Sequence, residues 1–259
     1  MNVEDVGLPG LMLASFGAAA INSVAGGGSF LTFPALLWAG MTPIAANATS
    51  TVALWPGSLS SAWGYRGELA EVKRWLLPLG VVSAVGGWVG ARLLLATGDQ
   101  AFANLIPLLL GTATLLLALQ GQLMPWLQRL AGGRSSSGAA LLAVQAAIAV
   151  YGGYFGGGMG ILMLAAFALL GLRNLHVANG LKSLLGAGIN GVAVVVFAAS
   201  GQVAWRLALP MVVTSMAGGY LGARLARQVR PALVRQLLVV TGALLTLWFA
   251  FEAYSRPPT

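Results

Sequence analysis

Apolar stretches separated by short polar breaks run along the whole chain. They fall at about 7–24, 29–40, 43–65, 76–97, 101–120, 139–155, 159–171, 175–200, 205–226 and 233–253. Many approach the roughly 20 residues that a hydrocarbon core of about 30 Å requires. In lipid every backbone polar group needs an internal partner, so these stretches read as helices and not as open sheet. Two polar stretches interrupt them. One, residues 66–75, holds Glu68, Glu71, Lys73 and Arg74; the other, residues 120–138, holds Pro125, Gly132-Gly133 and Ser135-Ser136-Ser137. The second reads as a linker whose Met124–Leu127 piece could lie along the membrane interface.

Residues 7–40 are too long for one straight crossing: at 1.5 Å per residue they would reach about 51 Å, against a core of about 30 Å. The segment must tilt strongly, break, or turn back at Ser23 to Ser29, and residues 139–171 face the same choice. The outcome sets whether the chain crosses eight or ten times, and so whether its halves run parallel or inverted. Counting cations leaves this open. An eight-crossing path puts Arg92, Arg173, Arg224, Arg227, Arg230 and Arg235 on one side and Arg66, Lys73, Arg74, Arg129, Arg134, Arg206 and Arg256 on the other. That is nearly a tie, where membrane proteins normally show a bias.

The halves repeat. Gly26-Gly27-Gly28 returns as Gly156-Gly157-Gly158, a spacing of 130, and Gly86-Gly87-Trp88-Val89-Gly90-Ala91-Arg92 returns as Gly218-Gly219-Tyr220-Leu221-Gly222-Ala223-Arg224, a spacing of 132. Asn47 and Asn179, Arg74 and Arg206, and Pro78 and Pro210 keep the 132 register. Glycine matches come easily by chance; asparagine, arginine and proline in one register do not. The expected fold is all-α and integral to the membrane: a polytopic helical bundle of two homologous repeats, each with a Gly-broken first helix. The repeats are assigned to residues 1–120 and 139–259, with an interfacial linker at 121–138.

Composition agrees with lipid as the solvent. Hydrophobic residues make up 58% and charged residues 8%, where a soluble surface needs about 25% charged. The net charge of +8 sits mostly in short connections and at helix ends, as topology demands, and forms no dense face for nucleic acid. The absence of cysteine excludes a disulfide framework or a thiolate metal site. The start, Met1 to Asp5, lacks the basic region of a signal peptide, so the first apolar run is expected to stay as a membrane helix.

Candidate chemistry gathers at the breaks. Glycines let backbone approach a solute closely, and a helix restarting after a break offers free N–H groups and the positive end of its dipole. Gly26, Gly27, Gly28 and Ser29, with Ser29 as the expected cap, and Gly156, Gly157 and Gly158 are therefore expected to line an anion site near the midplane. The alternative is close helix packing, which is the expected role of Gly86, Gly90, Gly218 and Gly222. Lys182 is the one charge inside an apolar stretch, about 10 Å deep if its helix starts near Leu175. It faces either a solute or, by snorkelling, the interface. Asn47 and Asn179, near the starts of equivalent stretches, can orient oxyanion oxygens, as can Thr49, Ser50, Thr51, Ser58 and Asn190, or they can join helices. His176 and the arginines Arg92 and Arg224 read as interfacial. Glu4, Asp5, Glu68, Glu71, Asp99 and Glu252 all fall at ends or in connections, so no buried carboxylate offers ion coupling. An anion leaving a negative interior needs none.

The residues that carry these features, Ile21 to Pro34 with Ala46 to Thr51 in the first half and Gly152 to Gly160 with Ala178 to Ser183 in the second, resemble the TauE/SafE family of sulfite-exporter permeases. The resemblance runs from about residue 8 to 253. It implies a multi-pass inner-membrane permease that exports a small sulfur-containing anion, such as sulfite or an organosulfonate like sulfoacetate. By position, Gly26 to Ser29 with Asn47, and Gly156 to Gly158 with Asn179 and Lys182, would frame the pathway. No catalytic residue, metal or cofactor is expected. The partners are the solute and the bilayer, with a homodimer left open. An anion channel, a permease for another small anion, and a scaffold without transport are the rivals; an intramembrane enzyme lacks its usual constellations.

Overall fold

The computed structural model describes residues 3–24, 27–131, 138–169, 172, 174–225, 228 and 231–255. Among them the chain forms ten α-helices and no strand. These are α1 (Val3–Val24), α2 (Ser29–Trp38), α3 (Pro43–Gly64), α4 (Lys73–Thr97), α5 (Asp99–Ala131), α6 (Gly138–Tyr154), α7 (Met159–Leu169), α8 (Leu175–Ser200), α9 (Trp205–Leu225) and α10 (Pro231–Ser255), with a short 3-10 turn, Glu68–Val72, before α4. Each apolar stretch read from the sequence corresponds to one helix. The largest difference is at α5, whose 33 residues carry the helix through Met124–Leu127 into the region assigned to the linker. At 1.5 Å per residue α5 is about 50 Å long, so its end projects beyond a core of about 30 Å.

By length and composition five helical segments among the described residues can cross a membrane: Gly7–Val24, Glu68–Thr97, Asp99–Leu119, Leu175–Ser200 and Ala232–Glu252. The protein is a multi-pass membrane protein. Helices α3 and α9 have comparable length, 22 and 21 residues, but are diluted by polar side chains. In α3 these include Asn47, Thr49, Ser50, Ser58 and Ser61, all buried.

Both long apolar runs break and turn back. After α1 the chain passes through Gly27 at φ 86°. Gly28 then lies against the Ala18 carbonyl with no room for a Cβ, and Leu31 lies against Gly17, so α2 returns along α1. After α6 the break passes through Gly156 at φ 76° and Gly158 at φ 77°, braced by the Tyr151 hydroxyl donating to the Gly157 carbonyl at 2.5 Å. Helices α2 and α7, with 10 and 11 residues, are about 15 Å long, roughly half a crossing.

Contacts fix the direction of every other helix. Along α1 and α9, Ser15 meets Met211 and Ser23 meets Gly222, so the two run parallel. Helix α3 runs with them, since Ala53 meets Ser215 and Gly64 meets Ala223. Helix α8 runs against α3: Ser61 meets Ser183, Trp55 meets Ala187, and Thr49 meets Ala204 just beyond its end. Helices α4 and α6 run with α8: Leu69, just before α4, meets Gly180 and Gly87 meets Ile189, while Gln145 meets Ser83 and Gly90 meets Gly153. Helix α10 opposes α5, because Gly111 meets Thr246 and Gly242 meets Thr114.

The paired glycines serve packing. Gly86 and Gly90 of α4 receive α6, and Gly218 and Gly222 of α9 receive α1; added Cβ atoms at Gly90 and Gly218 would sit 2.0 and 2.2 Å from backbone oxygens of Val150 and Phe16. Small residues let helix backbones approach where lipid supplies no hydrophobic drive between helices.

Candidate solute site

A cavity of about 50 Å3 lies between the halves, lined from α1, α2, α3, the break before α7, the start of α7, and α8. Its wall along α3 is a stripe of Asn47, the adjacent pair Ser50 and Thr51, Leu54, Ser58 and Ser61, recurring at steps of three or four residues and so on one helical face. Lys182, Ser183, Gly186 and Asn190 face it from α8, and Asn22, Ser23 and Ser29 from the first break. No carboxylate is among the lining residues.

Lys182 is 4% exposed. Its Nζ donates to the Asn22 carbonyl and to Asn179 Oδ1, both at 2.9 Å. The ammonium points inward and does not snorkel. Asn22 lies in the last turn of α1, where carbonyls lack intrahelical partners, so Lys182 ties α8 to the end of α1. Two of its three N–H donors are used this way, while the group faces the cavity. At the opposite end of the cavity Asn47 Nδ2 donates to the carbonyl of Tyr154 at the end of α6, a long contact of 3.4 Å. Asn47 thus contacts the end of α6 directly, and Asn179 is linked to the end of α1 through Lys182. Thr32 and Ser50 share a hydrogen bond at 2.7 Å, and Ser61 and Ser183 share one at 3.0 Å. Beside Phe155, which lines the cavity, Phe33, Phe102 and Tyr151 stack edge-on with centroids 5.7–6.4 Å away, and Tyr154 stacks edge-on against Phe102. Of this aromatic group, Phe155 reaches the cavity wall.

Of the residues singled out from sequence, Ser29, Asn47, Ser50, Thr51, Ser58, Gly156, Lys182 and Asn190 line the cavity, whereas Thr49 accepts from the Ala204 amide. Asn179 stands behind Lys182 and holds it. Gly27, Gly28, Gly157 and Gly158 shape the two turns without lining the cavity: Gly28 packs on Ala18, Gly157 on the Phe155 ring and Gly158 on Ala113. Gly26 lies outside the described residues. The expected cap is different: Gly28 occupies the cap position of α2 with no side-chain bond, and Ser29 turns to the cavity. Sequence reasoning missed Asn22, Ser23, Ser61 and Ser183. The signal for Ser61 was present in the helical spacing of polar residues along α3, which individual weighing of Asn47 to Thr51 passed over.

The family model described as Sulfite exporter TauE/SafE matches residues 11–249. The chain belongs to the TauE/SafE family. Among similar proteins is "Probable membrane transporter protein YfcA" of Escherichia coli (strain K12), 29% identical over 247 residues, covering 95% of this chain and 88% of that protein. "Probable membrane transporter protein ORF9" of Sinorhizobium sp is 29% identical over 239 residues, 92% of this chain and 90% of its own. A "Probable membrane transporter protein" of Haemophilus influenzae is 28% identical over 251 residues, 93% and 94% of the two chains. No solved structure matches. As a TauE/SafE protein the chain is a membrane transporter, and the cavity gathers polar groups from several of its helices.

Proposed function

We propose that this transporter exports a small sulfur-containing oxyanion, sulfite being the best fit, across the inner membrane. The observation that carries the reading is Lys182: one buried ammonium beside a cavity of hydroxyls and amides, with no carboxylate among its lining residues. A cation is repelled by that charge and a neutral solute leaves it uncompensated, whereas an anion offsets the cost of burying it, roughly 2.5–3.5 kcal/mol on insertion scales. Size narrows the class. A cavity of about 50 Å3 has room for roughly three to five water-sized groups, which suits an inorganic oxyanion; an organosulfonate such as sulfoacetate requires a wider state. Supporting a carrier over a channel, the two halves run in opposite directions about the α3–α8 contact, with Trp55 meeting Ala187 at a spacing of 132. We infer an inverted repeat that could expose the cavity to each side in turn.

The test is charge movement in reconstituted protein on adding sulfite, sulfoacetate, sulfate or chloride, with Lys182→Ala alongside. Saturable current for sulfite, lost in the variant, is expected. Current that rises linearly with concentration would favour the channel reading, and chloride current undiminished by the variant would remove the oxyanion assignment.

A further inference from the structure

We infer that the bundle has a fixed orientation: the end holding the α3–α4 and α9–α10 connections docks on the anionic cytoplasmic face of the membrane, and the start of α1 and end of α10 lie on the opposite side. This inference does not depend on the solute.

The argument starts from helix direction. Given the contacts above, the end of α1, the α3–α4 connection, the end of α5, the start of α6, the start of α8 and the α9–α10 connection all lie at one end. Tyr65 stacking beside His176, and Trp75 against Gly138, tie these parts together. The other end holds the α4–α5 and α8–α9 connections. There the Ile44 amide donates to Asp99 at 2.8 Å, the Tyr154 hydroxyl meets Thr97 at 3.2 Å, and Ala204 donates to Thr49 at 3.0 Å.

The cations divide sharply between these ends. Arg66, Lys73, Arg74, Arg129, Arg224 and Arg235 fall at the first end, and Arg92 and Arg206 at the second. The near-tie of an eight-crossing path gives way to six against two among the described residues once α2 and α7 are counted as return segments. Short connections rich in lysine and arginine stay cytoplasmic, where the leaflet is negative and attracts about 1 kcal/mol per cation. Acidic residues run the other way, with Glu4, Asp5, Asp99 and Glu252 at the second end against Glu68 and Glu71 at the first. One consequence concerns the cavity. Lys182 is seven residues into α8, about 10 Å from the basic end, so the buried charge stands in the cytoplasmic half.

The cysteine-free chain makes the test direct. Gly67→Cys, at an open position in the α3–α4 connection, and Gln100→Cys, exposed near the start of α5, are treated with a membrane-impermeant maleimide in intact spheroplasts and after permeabilisation. Gln100→Cys is expected to react in intact spheroplasts, and Gly67→Cys only after permeabilisation. The reverse pattern overturns the orientation, and reaction of both in intact spheroplasts overturns the crossing pattern. A full-length fusion carrying alkaline phosphatase after Thr259 gives an independent readout. It is expected to be active, and an inactive phosphatase with a fluorescent GFP counterpart would overturn the orientation even if a cysteine variant failed to accumulate.

Discussion

At the scale of single residues, Lys182 separates function from stability. Replacing it with methionine removes the cost of a buried ammonium, about 2.5–3.5 kcal/mol, and strands two acceptors, the Asn22 carbonyl and Asn179 Oδ1, at about 1–3 kcal/mol each. The terms nearly offset. Lys182→Met is therefore expected to fold and to keep its Tm in detergent within about 5 °C of the parent, taking 2–4 °C per kcal/mol. Solute affinity, by contrast, should fall more than about tenfold, since a charge-assisted hydrogen bond contributes roughly 1.5–3 kcal/mol. Scanning calorimetry and solute-binding titration on the same preparation read both. A variant that unfolds would make Lys182 a structural residue, and undiminished affinity would remove it from the site. Lysine was legible in sequence because a lone charge in an apolar stretch has few explanations. The hydroxyls opposite were less so: Ser61 and Ser183 are ordinary helix residues until antiparallel α3 and α8 bring them to 3.0 Å, and that pairing is a tertiary fact.

At the scale of helices, the glycines separate into two kinds, those a neighbouring backbone presses against and those in open space. Those in α4 illustrate it. An alanine Cβ at Gly90 would lie 2.0 Å from the Val150 carbonyl oxygen, whereas one at Gly80 would meet nothing within 4 Å. Gly90→Ala must push α6 away, costing about 1–3 kcal/mol, while Gly80→Ala relieves a helix of its most flexible residue and is worth up to about 1 kcal/mol in the other direction. Thermal unfolding of the two purified variants should therefore shift with opposite signs, Gly90→Ala downward by several degrees. Equal shifts would mean that the α4–α6 contact is looser than its geometry. Helix positions themselves were legible because a chain in lipid has little alternative to hydrogen-bonding its own backbone. The end of α5 was not, since Leu123, Met124, Leu127 and Leu130 sustain a helical pattern through a stretch whose proline, glycines and serines read as a linker.

At the scale of the whole molecule, number and direction of crossings were the least legible feature, because ten apolar segments do not say which of them return half-way. Contacts between distant helices decide it, and charge follows. With a cation-rich cytoplasmic end, one ammonium within and no carboxylate among the lining residues, the transporter offers an anion attraction but offers a coupling proton or sodium ion no acidic partner there. The driving force then has to come from the membrane potential. Each negative charge leaving an interior held at 100 mV negative gains about 2.3 kcal/mol, equivalent to roughly a 50-fold concentration ratio at 1.4 kcal/mol per tenfold. Proteoliposomes loaded with sulfite and clamped by potassium diffusion potentials provide the measurement. Efflux is expected to quicken as the interior is made negative and to slow when it is made positive, at constant pH on both sides. A rate indifferent to potential but dependent on a pH gradient would mean that a proton accompanies the anion, and its carrier would then have to be a group other than the six carboxylates of this chain, all of which lie at helix ends or in connections.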